Sequence, residues 1–202
     1  MDNTRTYFEG TITDESGNPL ENIPVTYKGG GLVLGYDYTD ENGIYSFYSL
    51  ETSSDSPCPY FKVNDINEAY DQSYSSYTYK ENTDHQDRAL STTYDIALKK
   101  IVQLEVSVIK ISTSSDTYLD WTISFPDDSC FEVNSTEDEY YNQCYSEHTA
   151  SFSQTPTNPN TTETITTVSG ETAQFSYSIN DGAVTYIDIP LTQENTTYEF
   201  EY

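Results

Sequence analysis

"TITDESGNPLENIPVTYKGGG" (residues 11–31) and "YTDENGIYSF" (residues 38–47) use the same device twice within the first fifty residues. Each sets an Asp three positions before a Gly, Asp14 with Gly17 and Asp40 with Gly43, next to residues that alternate apolar and polar. Alternation with a period of two is the pattern of a half-buried strand. An Asp side chain can hydrogen-bond the backbone just ahead of it, and Gly accepts the positive φ that a tight turn needs. The repetition therefore marks corners between short strands and announces a shape, not a chemistry.

The same alternation runs through most of the chain, and helical periodicity is nearly absent. "TRTYFEGTIT", "NIPVTYKG", "GGGLVLGYDYT" and "IYSFYSL" read as successive strands, with Pro24 suiting a strand start or an edge. Between Val63 and Thr92 lies a stretch too long for a structureless loop in a compact domain; its Tyr74, Tyr77 and Tyr79 predict a short strand in an elaborated hairpin or insertion. From Ile101 the character changes: "IVQLEVSVIKIS" is the most apolar strand in the chain. "TYLDWTISFP", "TITTVSG", "TAQFSYSI", "AVTYIDIPL" and "TTYEFEY" follow it at short spacing. The fold class is all-β, with two β-sandwich domains expected at 1–100 and 101–202. Strand count alone makes the second immunoglobulin-like.

Over residues 6–50 the order of signals resembles a known family, the carboxypeptidase regulatory-like domain. It is carried by Gly10, Asp14, Gly17, Pro19-Leu20, Ile23-Pro24-Val25, Thr39-Asp40 and Gly43 before Tyr45 and Phe47. "CPYFKV" and "TTYDIALKK" would supply the later strands, taking the resemblance to about residue 100. It implies a transthyretin-like (prealbumin-like) sandwich of about seven strands. It also implies an extracellular or periplasmic setting, often in surface lipoproteins of Bacteroidetes-type bacteria. No activity follows, because the domain is an accessory in that family. The related collagen-adhesin B-type domains often carry a Lys–Asn isopeptide bond; the first strand here offers Arg5 and no Lys, so that bond is not expected.

Composition narrows the functions. The net charge is −26, with 7 basic against 17 acidic residues up to position 100 and 1 against 17 beyond it. Such a surface repels phosphate backbones and anionic lipids, which excludes nucleic acid as a partner. No apolar run approaches the ~20 residues that span a bilayer, and "MDNTRTYFEG" has no apolar signal core. Either the chain is cytoplasmic, or a signal peptide or lipid-anchoring segment precedes Met1. Few Lys and Arg, abundant Thr, Ser, Asn and Tyr, and two closely spaced Cys favour the second reading, a secreted or outer-membrane-anchored protein.

The patterns of catalysis are missing. His85 and His148, the two histidines, have no ligand spacing, and no G-x-S-x-G elbow occurs. Paired carboxylates could be drawn anywhere among 34 acids, so they carry no information. The 29–31 glycine run lacks the Lys-Ser/Thr of a phosphate cradle and reads as a hairpin connection. Asp65, Asn67 and Asp71 are a weak calcium candidate without the Gly and distal Glu of an EF-hand loop, and an Asx-rich turn accounts for them. No cofactor is expected. The sequons at Asn134, Asn160 and Asn195 arise readily in so Asn- and Thr-rich a chain.

Cys130 and Cys144 enclose the acidic stretch "FEVNSTEDEYYNQ" and are expected to bridge, leaving Cys58 buried between two prolines. Three free thiols in a reducing compartment are the alternative. Tyr70, Tyr74, Tyr77 and Tyr79, set among Ser, Asn and Gln, form a candidate contact surface for a protein or glycan. The same rings could instead cover the domain's own sheet. The reading is a non-catalytic binding or scaffold protein. A structural subunit of a surface assembly, built by strand addition, is the alternative, and a hydrolase the least favoured.

Overall fold

The computed structural model describes residues 5–50, 59–65, 70–82, 91–135, 141–192 and 194–202. The described residues contain strands and turns but no helix. The chain divides into two compact units: Met1–Lys100 with Ser129–Cys144, and Ile101–Asp128 with Tyr145–Tyr202.

In the first unit, β1 (Arg5–Asp14) pairs antiparallel with β4 (Ile44–Leu50). On its other edge β1 pairs in parallel with β7 (Ser91–Thr93) and then β8 (Ile96–Leu98). A six-stranded sheet runs β12-β11-β6-β5-β2-β3. Its members are β12 (Tyr141–Asn142), β11 (Ser129–Ser135), β6 (Ser76–Asn82), β5 (Tyr60–Val63), β2 (Pro24–Gly29) and β3 (Leu32–Tyr38). Alternation decides which face is dry. Phe8 of β1 packs against Tyr27 of β2 at 4.6 Å and Phe61 of β5 at 5.8 Å between ring centroids, so the two sheets meet face to face. Ile12, Val25, Phe61, Val63 and Leu98 complete a dry interior.

The two Asp–Gly turns close adjacent corners of this unit. Asp14 Oδ1 accepts from the backbone N–H of Ser16 and Asn18, at 2.8 and 2.9 Å. Asp40 Oδ1 accepts from Asn42 and Ile44 at the same two distances. Gly17 and Gly43 take φ of 82° and 73°. The turns touch: Ile12 donates to the carbonyl of Gly43 at 2.8 Å, and a Cβ on Gly43 would lie 2.4 Å from the carbonyl oxygen of Ile12.

In the second unit, β14 (Thr161–Val168), β9 (Ile101–Ile109) and β17 (Thr196–Glu201) form one sheet, with β17 parallel to β9. The other sheet runs β13-β10-β15-β16, from β13 (Glu147–Gln154), β10 (Leu119–Pro126), β15 (Thr172–Ile179) and β16 (Thr185–Pro190). Leu104, Val106, Trp121, Ile123 and Phe175 fill the space between them. Strand order here repeats the first unit. The first strand lies between the fourth and a parallel last strand; the third, second, fifth and sixth form the facing sheet. The immunoglobulin constant order, with strands A, B, E and D in one sheet, is a different arrangement of the same number of strands.

Ser129–Cys144 leaves the second unit's run of sequence and joins the first unit. β11 adds to β6 in parallel over seven register positions, from Ser129↔Ser76 to Ser135↔Asn82. Reading 101–202 as one continuous domain does not anticipate this strand, since alternation fixes faces and not partners.

Candidate functional site

Among the described residues expected to form contact or metal sites, Tyr77, Tyr79, Asp65 and Asp71 are engaged within the fold. Tyr77 is buried, and its hydroxyl donates to Glu132 Oε2 of β11 at 2.7 Å. Tyr79 projects inward to within 5.3 Å of the Tyr94 ring. Tyr70 and Tyr74 are half-buried, and burial, then the charges of Asp14 and Asp71, raises the Tyr74 phenol. Tyr77 and Tyr79 are two apart and share the inner face of β6. Asp65 is 6% exposed and accepts from Lys28 Nζ at 2.9 Å and Lys62 Nζ at 3.2 Å, so its carboxylate is already engaged by cations. Asp71 caps a turn through Ser73, as an Asx-rich turn would. Asn67, Cys58 and His85 lie outside the described residues.

Cys130 and Cys144 are joined by a disulfide. Cys130 sits beside Tyr77 in register, and β11 and β12 close a hairpin with Gln143 donating to Phe131 at 2.8 Å. The bridge thus fastens the added hairpin at its base. With Glu132 the two sulfurs form a group of metal-capable donors, but the sulfur–sulfur bond already uses both thiols. Among the described residues, Asp127 and Asp128 form an acid pair beside His148. Asp127 Oδ2 is 3.6 Å from His148 Nε2. Burial, then the charge of Asp127, raises the Asp128 carboxyl. His148 stays more than half exposed, as a surface histidine would.

Two surface features of the six-stranded sheet went unread in the sequence. The first is its open edge. β3 pairs with β2 alone among the described residues, and it exposes Leu32 (68%), Val33 (47%), Tyr36 (63%) and Tyr38 (44%). A hollow of about 300 Å3 lies along it, lined by Pro24, Thr26, Val33, Tyr36, Asp37 and Tyr38. Thr26 is 5% exposed, and its hydroxyl has no partner among the described residues. The opposite end of the sheet is finished by β11 and the two-residue β12.

The second feature is the outer face. Core residues take the odd positions of β2, β5 and β6, so Thr26, Lys28, Tyr60, Lys62, Ser76, Thr78 and Lys80 point outward. Phe131 and Val133 of β11 continue that face in register with Thr78 and Lys80. Lys28, Gly29, Gly30, Gly31, Tyr60, Lys62, Thr78 and Phe131 line a cavity of about 440 Å3 there. Lys80 Nζ stands 5.7 Å from the centre of the Tyr60 ring, a cation–π contact. Three of the chain's 8 basic residues share this face, against one carboxylate, Asp65.

No family profile and no curated protein matches the chain. Among solved structures it is similar to GBS52, the minor pilin of Streptococcus agalactiae, with a TM-score of 0.36 and 7% identity over 97% of this chain and 94% of that one. A shaft pilin SpaA structure from Lactobacillus rhamnosus GG (D295N mutant) gives 0.33 and 10%, covering 98% of both chains. The Bacillus anthracis TIE protein gives 0.34 and 12%, and this chain spans 34% of its length; a streptococcal ancillary pilin gives 0.34 and 11%, and it spans 63% of that one. At such scores and identities these likenesses carry no functional weight, and the reading below rests on this chain's own strands and side chains.

Proposed function

We propose that the protein is a non-catalytic structural subunit of an extracellular surface assembly, joined to neighbouring copies through strand addition at β3. One observation carries this: the six-stranded sheet is finished at one end and open at the other. At the finished end the chain has already added a strand to β6 and pinned it with a disulfide. At the open end β3 has no second paired strand among the described residues and exposes four large apolar side chains. Natural sheets blunt such edges with Lys, Pro or very short strands, and β3, at seven residues, contains neither Lys nor Pro. An added strand gains affinity from main-chain hydrogen bonds and selectivity from pockets for alternate side chains, a role the hollow beside Thr26 suits. The disulfide supports an oxidising compartment, outside the cytosol. A transthyretin-like first domain, a lipid anchor upstream of Met1 and a protein partner are consistent with this reading.

Sedimentation of the purified chain over a range of concentrations tests it. Higher-mass species are expected, and Val33→Pro or Tyr36→Lys removes them while the melting temperature stays within a few degrees. A chain that stays monomeric throughout, or assembly indifferent to both substitutions, overturns the proposal.

A further inference from the structure

The lysine-bearing face of the first unit has a chemical counterpart on the second unit. On the outer face of the β14-β9-β17 sheet, alternation turns Gln103, Glu105 and Ser107 of β9 outward, with Thr162, Thr164 and Thr166 of β14 and Thr197, Glu199 and Glu201 of β17. Among the described residues that face carries three carboxylates and no cation. Glu105, Glu199 and Glu201 are exposed, with no hydrogen-bond or ion-pair partner among the described residues. On the unit's other outer face Asp120 accepts from Ser153 Oγ and Asp188 accepts from Gln174 Nε2 at 3.0 Å, while Glu147 is exposed.

We infer that the Lys28, Lys62 and Lys80 face of one copy docks on the Glu105, Glu199 and Glu201 face of a second copy. The inference rests on the assembly reading above and names a pair of surfaces for it. Charge complementarity selects the occupant. In a chain of net charge −26, a face with three lysines against one carboxylate, Asp65, which Lys28 and Lys62 share, is the exception. A partner copy's free carboxylates answer those ammonium groups, and two lysine faces, or two glutamate faces, repel. Spacing agrees as well. Lys62 is the diagonal neighbour of both Lys28 and Lys80 on the adjacent strands, roughly 7–8 Å away at Cα, while Glu199 and Glu201 are two residues apart on one strand, about 7 Å. The cavity between Tyr60 and Phe131 gives apolar bulk for the Thr and Glu stems that would enter it.

The pairing is heterologous: each copy uses one face to hold the copy ahead and the other to be held from behind. Such contacts generate an open chain of subunits unless the rotation closes a ring. A lysine face matched to a glutamate face also sets direction, because complementary charge fixes orientation more than it adds affinity.

The test is a charge exchange that leaves Asp65 and its two lysines intact. Thr78→Glu with Lys80→Glu reverses the first face, and Glu199→Lys with Glu201→Lys reverses the second. Each double variant, alone, is expected to associate about tenfold or more weakly than the parent in sedimentation equilibrium. An equimolar mixture of the two is expected to regain association, since alternating copies restore opposite charges at every contact. Circular dichroism melts establish that both variants fold. Association unchanged by either double variant, or lost in both without recovery on mixing, overturns the inference. If those results come with assembly that still fails in Tyr36→Lys, the strand-addition reading stands without this pairing. A parent chain that never associates removes both.

Discussion

Gly10 lies where β1 moves from pairing with β7 to pairing with β8. A Cβ there would sit 2.0 Å from the carbonyl oxygen of Tyr94, the same oxygen that accepts from the Tyr45 hydroxyl at 2.9 Å. Because the obstacle is backbone, Gly10→Ala must shift a strand rather than a side chain, costing about 1–3 kcal/mol. In a domain of this size that lowers the melting temperature by roughly 4–8 °C for each kcal/mol; a melt unchanged within a degree would contradict the packing. The Tyr45 phenol, buried and near Asp95, is held far above its usual titration range, so it stays a donor at physiological pH. The two aspartate turns give a prediction with a sign. Asn18's side chain, chiefly, lowers the Asp14 carboxyl; backbone N–H groups of Ile44, then Asn42, lower that of Asp40. A carboxyl depressed in the folded state contributes stability above its unfolded value near about 3.9, and that contribution is lost as pH falls through the folded value. Asp14→Ala and Asp40→Ala should therefore melt below the parent at pH 7 and converge on it near about pH 2; a gap that persists in acid would show the turns do not depend on ionised carboxylates.

At the scale of elements, the hairpin of β11 and β12 shows what local reading reaches and where it stops. Asp, Gly and alternating apolar residues act within four or five positions of each other, so both turns and strands β1 to β4 were legible. Pairing is not local. β11 joins β6 from more than fifty residues away, and no periodicity in either segment names the other. Lys28, Lys62 and Lys80 are likewise distant in sequence and meet only because β2, β5 and β6 are neighbours. The tyrosines were left between two readings, a contact surface or a cover for the domain's own sheet. Composition alone does not choose between them; Tyr77 and Tyr79 occupy the inner phase of β6, and the Tyr77 hydroxyl donates to Glu132. The disulfide gives this element its own test. Closing a 14-residue separation stabilises by about 3 kcal/mol in the chain-entropy picture. Cys130→Ser with Cys144→Ser should lower the denaturation midpoint and raise hydrogen exchange in β6 and β11. Exchange that rises instead across the whole chain would mean the bridge supports more than this hairpin.

Across the whole molecule, one strand order serves twice, and the second use carries the added strand for the first. Unit two breaks its sequence between Asp128 and Tyr145, at the turn between β10 and β13. There the donation of Asp127's amide to the carbonyl of Ser146, at 2.8 Å, keeps the two ends of the break together. A loop whose ends already meet can lengthen at little entropic expense, since each doubling of loop length adds only about 0.6 kcal/mol. That makes the excursion a tolerable insertion in the second unit while it is a structural strand in the first. Excising 129–144 and joining Asp128 to Tyr145 through two glycines should therefore act on one unit only. Backbone amides of β10, β13 and β15, bonded within their own sheet, should keep their protection in hydrogen exchange. The β6 amides now paired to β11 should lose theirs, and the first unit should melt earlier. The excised chain would also carry a second open edge at β6, so it should aggregate more readily than the parent through unpaired strands. Loss of protection in β10 or β15 would contradict the division, and so would unchanged protection in β6.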